Sequence, residues 1–301
     1  MKKVQVLMST YNGEKYLKEQ IDSILSQEGV EVNLLIRDDS STDKTISILE
    51  NITKQNENVR YYIGENIGSA RSFMDLVKQS KEADYYAFAD QDDVWNSKKI
   101  ISAIKKIEND NNKPSLYISA LEVVDEALNT IKIKKVSGNF CFEGEICKNF
   151  ATGCTMVFNK KLCDIIKMYN PEYIIMHDSW ITRVCYAVGG NVIIDENTYI
   201  KYRQHGNNVV GYNYDNSFKK LKKQLKIAFV DKVSMRVNIA KELKKGYEEL
   251  LTDNAKELVN NLINYQTNKK AKRWLLKNKK FRTNNSKIDR KIKMGIILNR
   301  F

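Results

Sequence analysis

The fold is decided by residues 85–95, YYAFADQDDVW, where five apolar or aromatic residues run directly into three carboxylates within four positions. The same order occurs three times upstream: Val4–Met8 precedes STYNG, Val32–Ile36 precedes RDDSSTD, and Val59–Ile63 precedes GENIGS. Segments with helical spacing of apolar residues separate these runs. Strands that alternate with helices of this length form right-handed crossovers, so we predict an α/β fold with a mainly parallel central sheet.

All four polar clusters follow predicted strands. Loops at the carboxyl ends of parallel strands gather at one edge of the sheet, which is where open α/β folds bind their ligands. We therefore expect STYN, RDDSSTD, GENIGSAR and DQDD to line one crevice. This expectation depends on the order of the elements alone.

The sharpest local feature is the acidic cluster Asp90, Asp92 and Asp93. Neighbouring carboxylates repel one another, and no lysine follows them before Lys98. A hard cation would relieve this repulsion, and Mg²⁺ or Mn²⁺ is typically held by one or two carboxylates together with phosphate oxygens of a substrate. The alternative is an acidic turn in solvent. The position of the cluster at the end of a predicted buried strand favours the metal site.

The segment RDDSSTD, residues 37–43, has two interpretations. Ser40 to Asp43 are typical turn residues, and Asp43 is a suitable N-cap for the helix that follows. A turn does not explain two adjacent carboxylates at the end of a strand. A carboxylate there can also accept hydrogen bonds from the imide N–H of a pyrimidine or from ribose hydroxyls. Both interpretations stay open.

A further polar segment, RQHGNN, begins at Arg203 and follows a strand predicted near residues 191–195. The chain has only two histidines, and an isolated histidine is usually structural or exposed. Next to Arg203, however, His205 can complete a diphosphate or metal site, because arginine binds phosphate bidentately and imidazole is a common metal ligand. Residues 206–208 would then form a flap that closes over the bound ligand and excludes water.

Four of these motifs, in this order, resemble one known family. MSTYNGEKYLKEQIDSILSQ, LLIRDDSSTDKT, ENIGSARSF and FADQDDVW are similar to the nucleotide-sugar domain of family 2 glycosyltransferases with the GT-A fold. The resemblance is close over about the first hundred residues and looser through ATGCTMVFNKKL, MHDSWI and KYRQHGNNVVG. The later motifs look like the rhamnosyltransferase branch, whose members build bacterial surface polysaccharides.

The resemblance implies a role for each matching residue. Ser9 and Tyr11 would flank the nucleobase, with Tyr11 stacked on it, although Tyr11 also suits a packed loop aromatic. Asp92 and Asp93 would contact ribose and metal, and which of them does which stays open. The complete nucleotide set, together with Arg203 from the reasoning above, is Ser9, Tyr11, Asp39, Arg71, Asp90, Asp92 and Arg203, and the metal set is Asp92, Asp93 and His205.

The resemblance also implies a catalytic base. An inverting transfer needs a base that deprotonates the acceptor hydroxyl on the face opposite the leaving nucleotide. The family places an acidic residue at the start of a helix after a glycine-containing strand, and here that residue is Asp178 in MHDSWI. The alternative is an N-cap for a helix over residues 179–189. Many relatives carry Glu-Asp where this chain has His177 before Asp178, and the role of His177 stays open.

Charge divides the chain into two predicted regions. Residues 1–214 carry 26 Lys and Arg against 29 Asp and Glu, whereas residues 215–301 carry 24 against 8. We predict a GT-A domain over 1–214, with a nucleotide-binding half (1–110) and an acceptor-side half (111–214), and a basic α-helical tail over 215–301. Lysine-rich amphipathic helices with few aromatics favour an anionic membrane surface over nucleic acid. The alternative is a dimerisation arm that would make a homodimer.

The predicted enzyme is a metal-dependent, inverting glycosyltransferase in the cytoplasm, peripheral on the inner face of the cell membrane. No run approaches the ~18 apolar residues of a membrane span, and five cysteines without a CxxC pair suit buried thiols. The expected reaction moves L-rhamnose from dTDP-rhamnose to a lipid-linked bacterial surface polysaccharide. The alternatives are a UDP-hexose-dependent glycosyltransferase of the same fold and a sugar nucleotidyltransferase.

Overall fold

The first part of the chain alternates strands and helices, as the sequence predicts. We analysed a computed structural model that describes residues 1–110, 112–205 and 232–301. The elements up to the acidic cluster are β1 Lys2–Thr10, α1 Leu17–Leu25, β2 Val30–Asp38, α2 Thr45–Gln55, β3 Val59–Ile63, α3 Ser69–Gln79 and β4 Tyr85–Ala89. The bounds of β3 and β4 match the apolar runs in the sequence, because those runs end at polar loop residues.

The second part is less regular and adds antiparallel strands. Its elements are β5 Val94–Trp95, α4 Lys99–Ile107, β6 Ser115–Val124, β7 Thr130–Lys134, α5 Phe142–Cys147, β8 Val157–Asn159, α6 Lys160–Lys167, α7 His177–Ala187 and β9 Asn191–Arg203. A short 3₁₀ turn over Gly153–Thr155 precedes β8. The strand that the sequence predicts near residues 191–195 extends eight residues further and ends at Arg203.

All described strands belong to one nine-stranded sheet. Its order is β3-β2-β1-β4-β8-β6-β9-β5, with β7 paired to β6. Strands β3, β2, β1 and β4 are parallel, β8 is antiparallel to both of its neighbours, and β6 and β9 are parallel to each other. Six of the nine strands therefore run in the same direction, which confirms the predicted α/β fold with a mainly parallel central sheet.

The sheet separates two layers of core. Along β1, Leu7 faces a layer that contains Phe88 and Trp180, whereas Val6 and Met8 face the opposite layer. This alternation follows from the two-residue period of a strand. All five residues of β4 are buried, because helices cover both faces of the sheet. The loops at the carboxyl ends of the strands are therefore held by a rigid scaffold.

The C-terminal part is helical. It contains α8 Lys232–Tyr247, α9 Asp253–Asn264, α10 Lys269–Lys277 and α11 Ser286–Ile297, and so confirms the predicted basic helical region. These helices pack into the same core layer as Trp180, which lies 6.2 Å from the Tyr247 ring. Arg236 in α8 donates to the carbonyl oxygens of Ile146 and Cys147, at 3.0 and 2.9 Å. The boundary near residue 215 lies outside the described residues, and the division into domains stays a prediction.

Helix α7 begins earlier than the sequence predicts. The predicted helix over residues 179–189 is wrong by two residues, because the backbone of Met176 is extended and its carbonyl already accepts from the Trp180 N–H at 3.1 Å. Asp178 therefore lies in the first turn and is not the N-cap. Similarly, α2 begins at Thr45 with Lys44 as its N-cap, although Asp43 still accepts from the Thr45 N–H at 2.9 Å.

The remaining general expectations concern cysteines and membrane spans. The five cysteines are free thiols, and all but Cys141 are buried. None of the helices in the described part of the chain combines the length and the apolar character that a bilayer crossing requires.

Candidate active site

The loop after β1 is fastened to the acidic cluster by Gln91. Its Oε1 accepts from the Thr10 hydroxyl at 2.6 Å and from the Tyr11 N–H at 2.8 Å, and its Nε2 donates to the Tyr11 carbonyl at 3.1 Å. Gly13 leaves room for this side chain, since a Cβ there would lie 2.5 Å from Gln91 Oε1. No local sequence pattern had indicated this role for Gln91.

Hydrogen bonds bring the predicted loops to one edge of the sheet. The Asn12 N–H donates to Ser41 Oγ at 2.9 Å, and Asn12 Oδ1 accepts from the Thr42 N–H at 2.8 Å. The Ser40 hydroxyl donates to the Gly64 carbonyl at 2.8 Å. Together with the Gln91 contacts, these bonds connect the loops after β1, β2, β3 and β4, as the parallel arrangement predicts.

Asp39 is buried and held by protein groups. Its carboxylate accepts from the Gly68 N–H at 3.1 Å and from the Ser72 hydroxyl, and it pairs with Arg37. Its neighbour Asp38 accepts from the backbone N–H and the hydroxyl of Ser41, at 2.8 and 2.5 Å. Asp38 therefore stabilises the turn, a role that the turn interpretation of Ser40 to Asp43 did not assign to it. Contact between Asp39 and a nucleobase stays a prediction.

Three other residues of the predicted nucleotide set lie on the loops or at strand and helix ends. Ser9 is the penultimate residue of β1 and is half-buried. Tyr11, the first residue after β1, is 48% exposed, so its ring is accessible for stacking. Arg71 is exposed in the first turn of α3 and donates to the Glu172 carbonyl at 3.0 Å.

Asp90 and Asp93 form the inner side of the acidic cluster. They lie with Cys154 such that one potential ligand atom from each is within 4.8 Å of the others. Burial, and then the charge of Asp92, raise the pKa of Asp90 to about 7. The same two causes raise the pKa of Asp93 well above its usual range. Asp93 is fully buried, and its Oδ1 accepts from the Arg203 N–H at 3.2 Å.

A buried lysine lies beside these inner carboxylates. Lys99 is fully buried, and its Nζ lies 3.4 Å from the centroid of the Trp95 ring without a hydrogen-bond partner among the described residues. Burial lowers its pKa to about 7, opposed by Cys154 and by the charges of Asp93 and Asp90. The sequence pattern did not reveal this cation. Lys99, and not Lys98, is the lysine on the inward face of α4.

Asp92 contacts His205, and its charge also acts on the inner pair. The distance from Asp92 Oδ2 to His205 Nε2 is 2.7 Å, and both side chains remain slightly accessible, at 12% and 11%. The Tyr16 ring lies 5.1 Å from the His205 ring. Two of the three predicted metal ligands are thus adjacent, although they are 113 residues apart in the sequence.

Arg203 contacts the acidic cluster and the neighbouring loops through its backbone and its guanidinium. Its Nε donates to the Asp92 carbonyl at 3.0 Å, its Nη1 donates to the Glu126 carbonyl at 2.5 Å, and its Nη2 pairs with Glu19. The guanidinium also stacks 4.4 Å from the centroid of the Tyr16 ring. These partners are all protein groups, and contact between Arg203 and a diphosphate stays a prediction.

Asp178 lies within electrostatic range of the acidic cluster. Its Oδ1 accepts from the Ser179 N–H at 2.5 Å and from Asn149 Nδ2 at 3.3 Å. Asp178 is 6% exposed, and burial raises its pKa to about 6. Its charge contributes to the raised pKa of Asp90, so the two carboxyl groups lie within electrostatic range of each other.

His177 is a packed, uncharged side chain. Its ring stacks on Phe73 at 3.9 Å and meets the edge of Phe88 at 5.1 Å. Burial lowers its pKa to about 3, and neither ring nitrogen has a hydrogen-bond partner among the described residues. A Cβ at Gly153 would lie 2.3 Å from His177 Nε2, so the glycine makes room for the ring. His177 therefore supports the start of α7 by packing.

The donor atoms fit a divalent metal at Asp92 better than at the inner pair. The Asp92 carboxylate offers the oxygen ligand that Mg²⁺ and Mn²⁺ prefer together with phosphate oxygens, whereas the imidazole nitrogen of His205 is a softer ligand that suits Mn²⁺ better than Mg²⁺. The inner group adds a soft thiol, Cys154, and has the ammonium of Lys99 nearby, and both features disfavour a hard cation.

The sequence profile of Glycosyl transferase family 2 matches residues 5–164, which span the four loops and β8. The chain belongs to this family. Among family 2 relatives, the dTDP-rhamnosyl transferase RfbG of Shigella flexneri is 30% identical over 236 residues, which cover 72% of this chain and 78% of that protein. The putative teichuronic acid biosynthesis glycosyltransferase TuaG of Bacillus subtilis is 33% identical over 98 residues, or 32% of this chain and 38% of that protein.

Solved structures agree with the fold of this family 2 glycosyltransferase. The crystal structure of S. aureus TarS 1-349 in complex with UDP-GlcNAc superposes with a TM-score of 0.61 and 18% sequence identity. The match covers 92% of this chain and 76% of that one. A likeness at this identity concerns the fold alone, and it agrees with the GT-A arrangement predicted from the sequence.

Proposed function

We propose that this glycosyltransferase moves L-rhamnose from dTDP-rhamnose to a lipid-linked bacterial surface polysaccharide, with inversion at the anomeric carbon. The donor is suggested by the similarity to a dTDP-rhamnosyl transferase over most of both chains. The single observation that carries the reaction type is the position of Asp178, a buried carboxyl group within electrostatic range of Asp90 in the acidic cluster. An in-line displacement requires a base near the nucleotide site that can reach the attacking hydroxyl, and Asp178 is the buried carboxyl group proposed for that role.

In the proposed reaction, Asp178 removes the proton from the acceptor hydroxyl as its oxygen attacks the anomeric carbon of the sugar. The new C–O bond forms while the bond between the anomeric carbon and the diphosphate oxygen breaks, and the nucleoside diphosphate leaves with the electron pair. Asn149 donates to Asp178 at 3.3 Å and would keep the carboxylate oriented. With a pKa of about 6, Asp178 is charged at neutral pH but remains basic enough to accept a proton.

A divalent metal, Mg²⁺ or Mn²⁺, would be held by Asp92 and His205. When bound, it would neutralise charge on the leaving diphosphate. Asp92 is favoured over Asp93 because Asp93 is fully buried and accepts from the Arg203 N–H, whereas Asp92 is partly accessible. Ser9, Tyr11 and Asp39 would surround the nucleobase, and Arg71, Asp90 and Arg203 would complete the nucleotide site.

A panel of donors tests the substrate class. Purified enzyme with Mn²⁺ or Mg²⁺ and a lipid-linked glycan acceptor should transfer sugar from dTDP-rhamnose and not from UDP-glucose, UDP-galactose or UDP-GlcNAc. Transfer from a UDP-sugar alone would replace the proposed donor with the hexose alternative. Formation of a nucleotide sugar from a sugar phosphate and a nucleoside triphosphate would instead identify a nucleotidyltransferase.

Substitution of the base tests the mechanism. Asp178→Asn should lower kcat by at least about 10³-fold, because the amide cannot accept the proton, while the Kd for the nucleotide stays within twofold. Asp178→Glu is the matched variant that keeps the carboxylate. Turnover by Asp178→Asn at the wild-type rate would remove Asp178 as the base.

The surface of the last two helices supports a peripheral position on an anionic membrane. Met294, Ile297 and Leu298 are 53–56% exposed at the end of α11. Residues 269–301 contain 13 Lys and Arg against a single Asp, so this apolar patch lies in a strongly basic region. Each cation near an anionic bilayer contributes on the order of 1 kcal/mol, and the apolar side chains would enter the headgroup region.

Sedimentation with vesicles tests the membrane proposal. The triple substitution Met294→Ser, Ile297→Ser and Leu298→Ser should weaken binding to vesicles rich in phosphatidylglycerol, and wild-type binding should fall at 0.5 M salt. Ile131→Ser with Ile133→Ser is the matched control, because these β7 side chains are 57% and 59% exposed but lie outside the tail. If vesicle binding is unchanged and a dimer dissociates instead, the patch is a subunit interface and the membrane proposal fails.

A further inference from the structure

Two surface cavities lie where α5 meets the C-terminal helices. The larger, the Trp274 cavity, has a volume of about 370 Å³ and is walled by the start of α5, by α9 and by α10 with the residues after it. This volume is in the range of small-molecule sites. The smaller, the Lys148 cavity, has a volume of about 210 Å³ and lies between residues 137–148 and the start of α11. Glu143 lines the first and its neighbour Gly144 lines the second, so both cavities meet the same turn of α5.

Hydrogen bonds hold the walls of both cavities in place. Asn139 Nδ2 donates to the Lys280 carbonyl at 2.9 Å, and Asn284 Nδ2 donates to the Gly138 carbonyl at 2.6 Å. A Cβ at Gly144 would collide with the Asn139 carbonyl oxygen, so the glycine lets this loop lie against α5. The cavities therefore have fixed walls, as preorganised binding sites do.

The Trp274 cavity combines one aromatic face with balanced charges. Trp274 packs against the core but is only half-buried, so part of its indole stays accessible in the cavity. The other lining groups are two carboxylates, two ammonium groups and two amides, from Glu143, Glu257, Lys277, Lys280, Asn254 and Asn278. Their formal charges cancel, although residues 269–301 as a whole carry 13 Lys and Arg against a single Asp. A neutral, polar ligand fits this lining.

The Lys148 cavity continues this polar lining toward the proposed base. Its side chains offer hydroxyls, amides and one ammonium group, from Ser137, Thr283, Asn139, Asn284, Asn285 and Lys148. The residue after Lys148 is Asn149, whose Nδ2 lies 3.3 Å from Asp178 Oδ1. Neighbouring Cα atoms are ~3.8 Å apart, so the cavity ends one residue from a contact of Asp178.

The lining groups favour a carbohydrate over other ligand classes. A sugar ring presents a C–H face that packs on an aromatic ring, and its hydroxyls bond to carboxylates, amides and ammonium groups. A phosphorylated ligand in the Trp274 cavity would be repelled by Glu143 and Glu257. A lipid chain would leave the polar lining without partners, which costs free energy.

We propose that the two cavities bind the glycan chain of the acceptor, with Trp274 as the aromatic platform. The inference rests on the proposed function, because it concerns the acceptor of that reaction. It adds a binding site in the C-terminal helices, outside the nucleotide and metal sets. The reacting hydroxyl lies at Asp178, and the preceding sugar residues lie along α5. Such a site binds the ground state and the transition state equally, so its loss raises KM for the acceptor and leaves kcat unchanged.

The first test compares two acceptors on the same lipid carrier, one with a single sugar and one with an oligosaccharide. Trp274→Ala should raise KM for the oligosaccharide acceptor at least about fivefold, the loss expected of one aromatic contact, with kcat within about twofold. KM for the single-sugar acceptor and for the donor should stay within about twofold. Arg273→Ala is the matched control, because Arg273 is exposed on the same helix but does not line the cavity.

The second test measures glycan binding without turnover. Wild-type enzyme is applied to an array of immobilised bacterial oligosaccharides, and the one that binds best is titrated in solution. Trp95 and Trp180, the other two tryptophans, are 4% and 1% exposed, so the titration should change the emission of Trp274 alone. If Trp274→Ala does not fold, as judged by circular dichroism, the double variant Asn254→Ala with Glu257→Ala replaces it. Both positions are exposed on α9, and binding should weaken at least about fivefold.

The outcomes separate this inference from the proposed function. Unchanged KM for the oligosaccharide acceptor in the folded variants, or no binding of wild type to any oligosaccharide of the array, would overturn the inference while sugar transfer continues. Weaker vesicle binding by Trp274→Ala with glycan binding intact would make this surface a membrane contact and would overturn it as well. If Asp178→Asn binds the oligosaccharide but wild type transfers sugar from no donor, the glycan site stands and the proposed reaction fails.

Discussion

Removing the side chain of Gln91 should weaken nucleotide binding. Gln91→Ala deletes three hydrogen bonds to Thr10 and Tyr11, at 2.6, 2.8 and 3.1 Å. A hydrogen bond contributes about 0.5–1.5 kcal/mol net, so three contribute about 1.5–4.5 kcal/mol. Because Gln91 is half-buried, water will compensate for part of the three lost hydrogen bonds, so the net loss of stabilising free energy is about 2 kcal/mol.

If that free energy is used to hold the Tyr11 loop in its binding position, the Kd for dTDP or UDP should rise about 30-fold. Isothermal titration calorimetry measures the Kd, and urea denaturation measures the free energy of unfolding in parallel. Thr10→Val is the graded control, because it removes only the hydroxyl bond to Gln91 and should raise Kd about fivefold. A Kd for Gln91→Ala within threefold of wild type would refute the role of Gln91 in binding.

Three other substitutions test packing, titration and hydrogen bonding. Gly153→Ala should lower the free energy of unfolding by about 1–3 kcal/mol, because its Cβ would lie 2.3 Å from a tightly packed His177 ring, whereas Gly295→Ala in α11 should not destabilise. Between pH 7.5 and 5, the free energy of unfolding of wild type should fall by about 2 kcal/mol relative to that of His177→Leu. The reason is that the histidine of the unfolded chain binds a proton near pH 6.5, whereas the pKa of the folded ring is lowered to about 3. If urea denaturation gives the same difference between the two proteins at both pH values, this reasoning is wrong. Arg203→Lys should lower the free energy of unfolding by about 2 kcal/mol, because an ammonium cannot reach both the Asp92 and the Glu126 carbonyls. The control Glu126→Gln, at an exposed ion pair, should change it by under about 0.5 kcal/mol.

The inner strands of the parallel half were predictable because they are buried on both faces. Such a strand is a short apolar run that ends abruptly at a polar loop, as at Tyr85–Ala89, whereas in the edge strand Val59–Ile63 only Val59 is buried. Strand β9 was predicted too short, since most of its residues beyond 195 are polar or only half-buried and give no continuous run. Strand β5 has two residues and is defined only by its pairing with β9, which no local pattern reveals.

Within the site, residues were predictable where the loop order fixes their position and were missed where an unexpected side chain turns inward. Lys99 looks like an ordinary solvated lysine of an amphipathic helix. Its spacing of four residues before Ala103 places both on the buried face of α4. The contact between Asn149 and Asp178 is a tertiary contact with α7, and a single sequence does not record such contacts.

The hydrogen bonds from Arg236 to the end of α5 have a consequence for biosynthesis. Ile146 emerges from the ribosome 90 residues before the arginine that satisfies its carbonyl. At about 5–20 residues per second, the six-residue helix α5 spends several seconds without that support. The loops after β1 to β4 can therefore assemble while the chain is still being made, whereas the support of α5 is completed only by the C-terminal helices. A nascent chain stalled before residue 232 should bind nucleotide before it is able to transfer sugar.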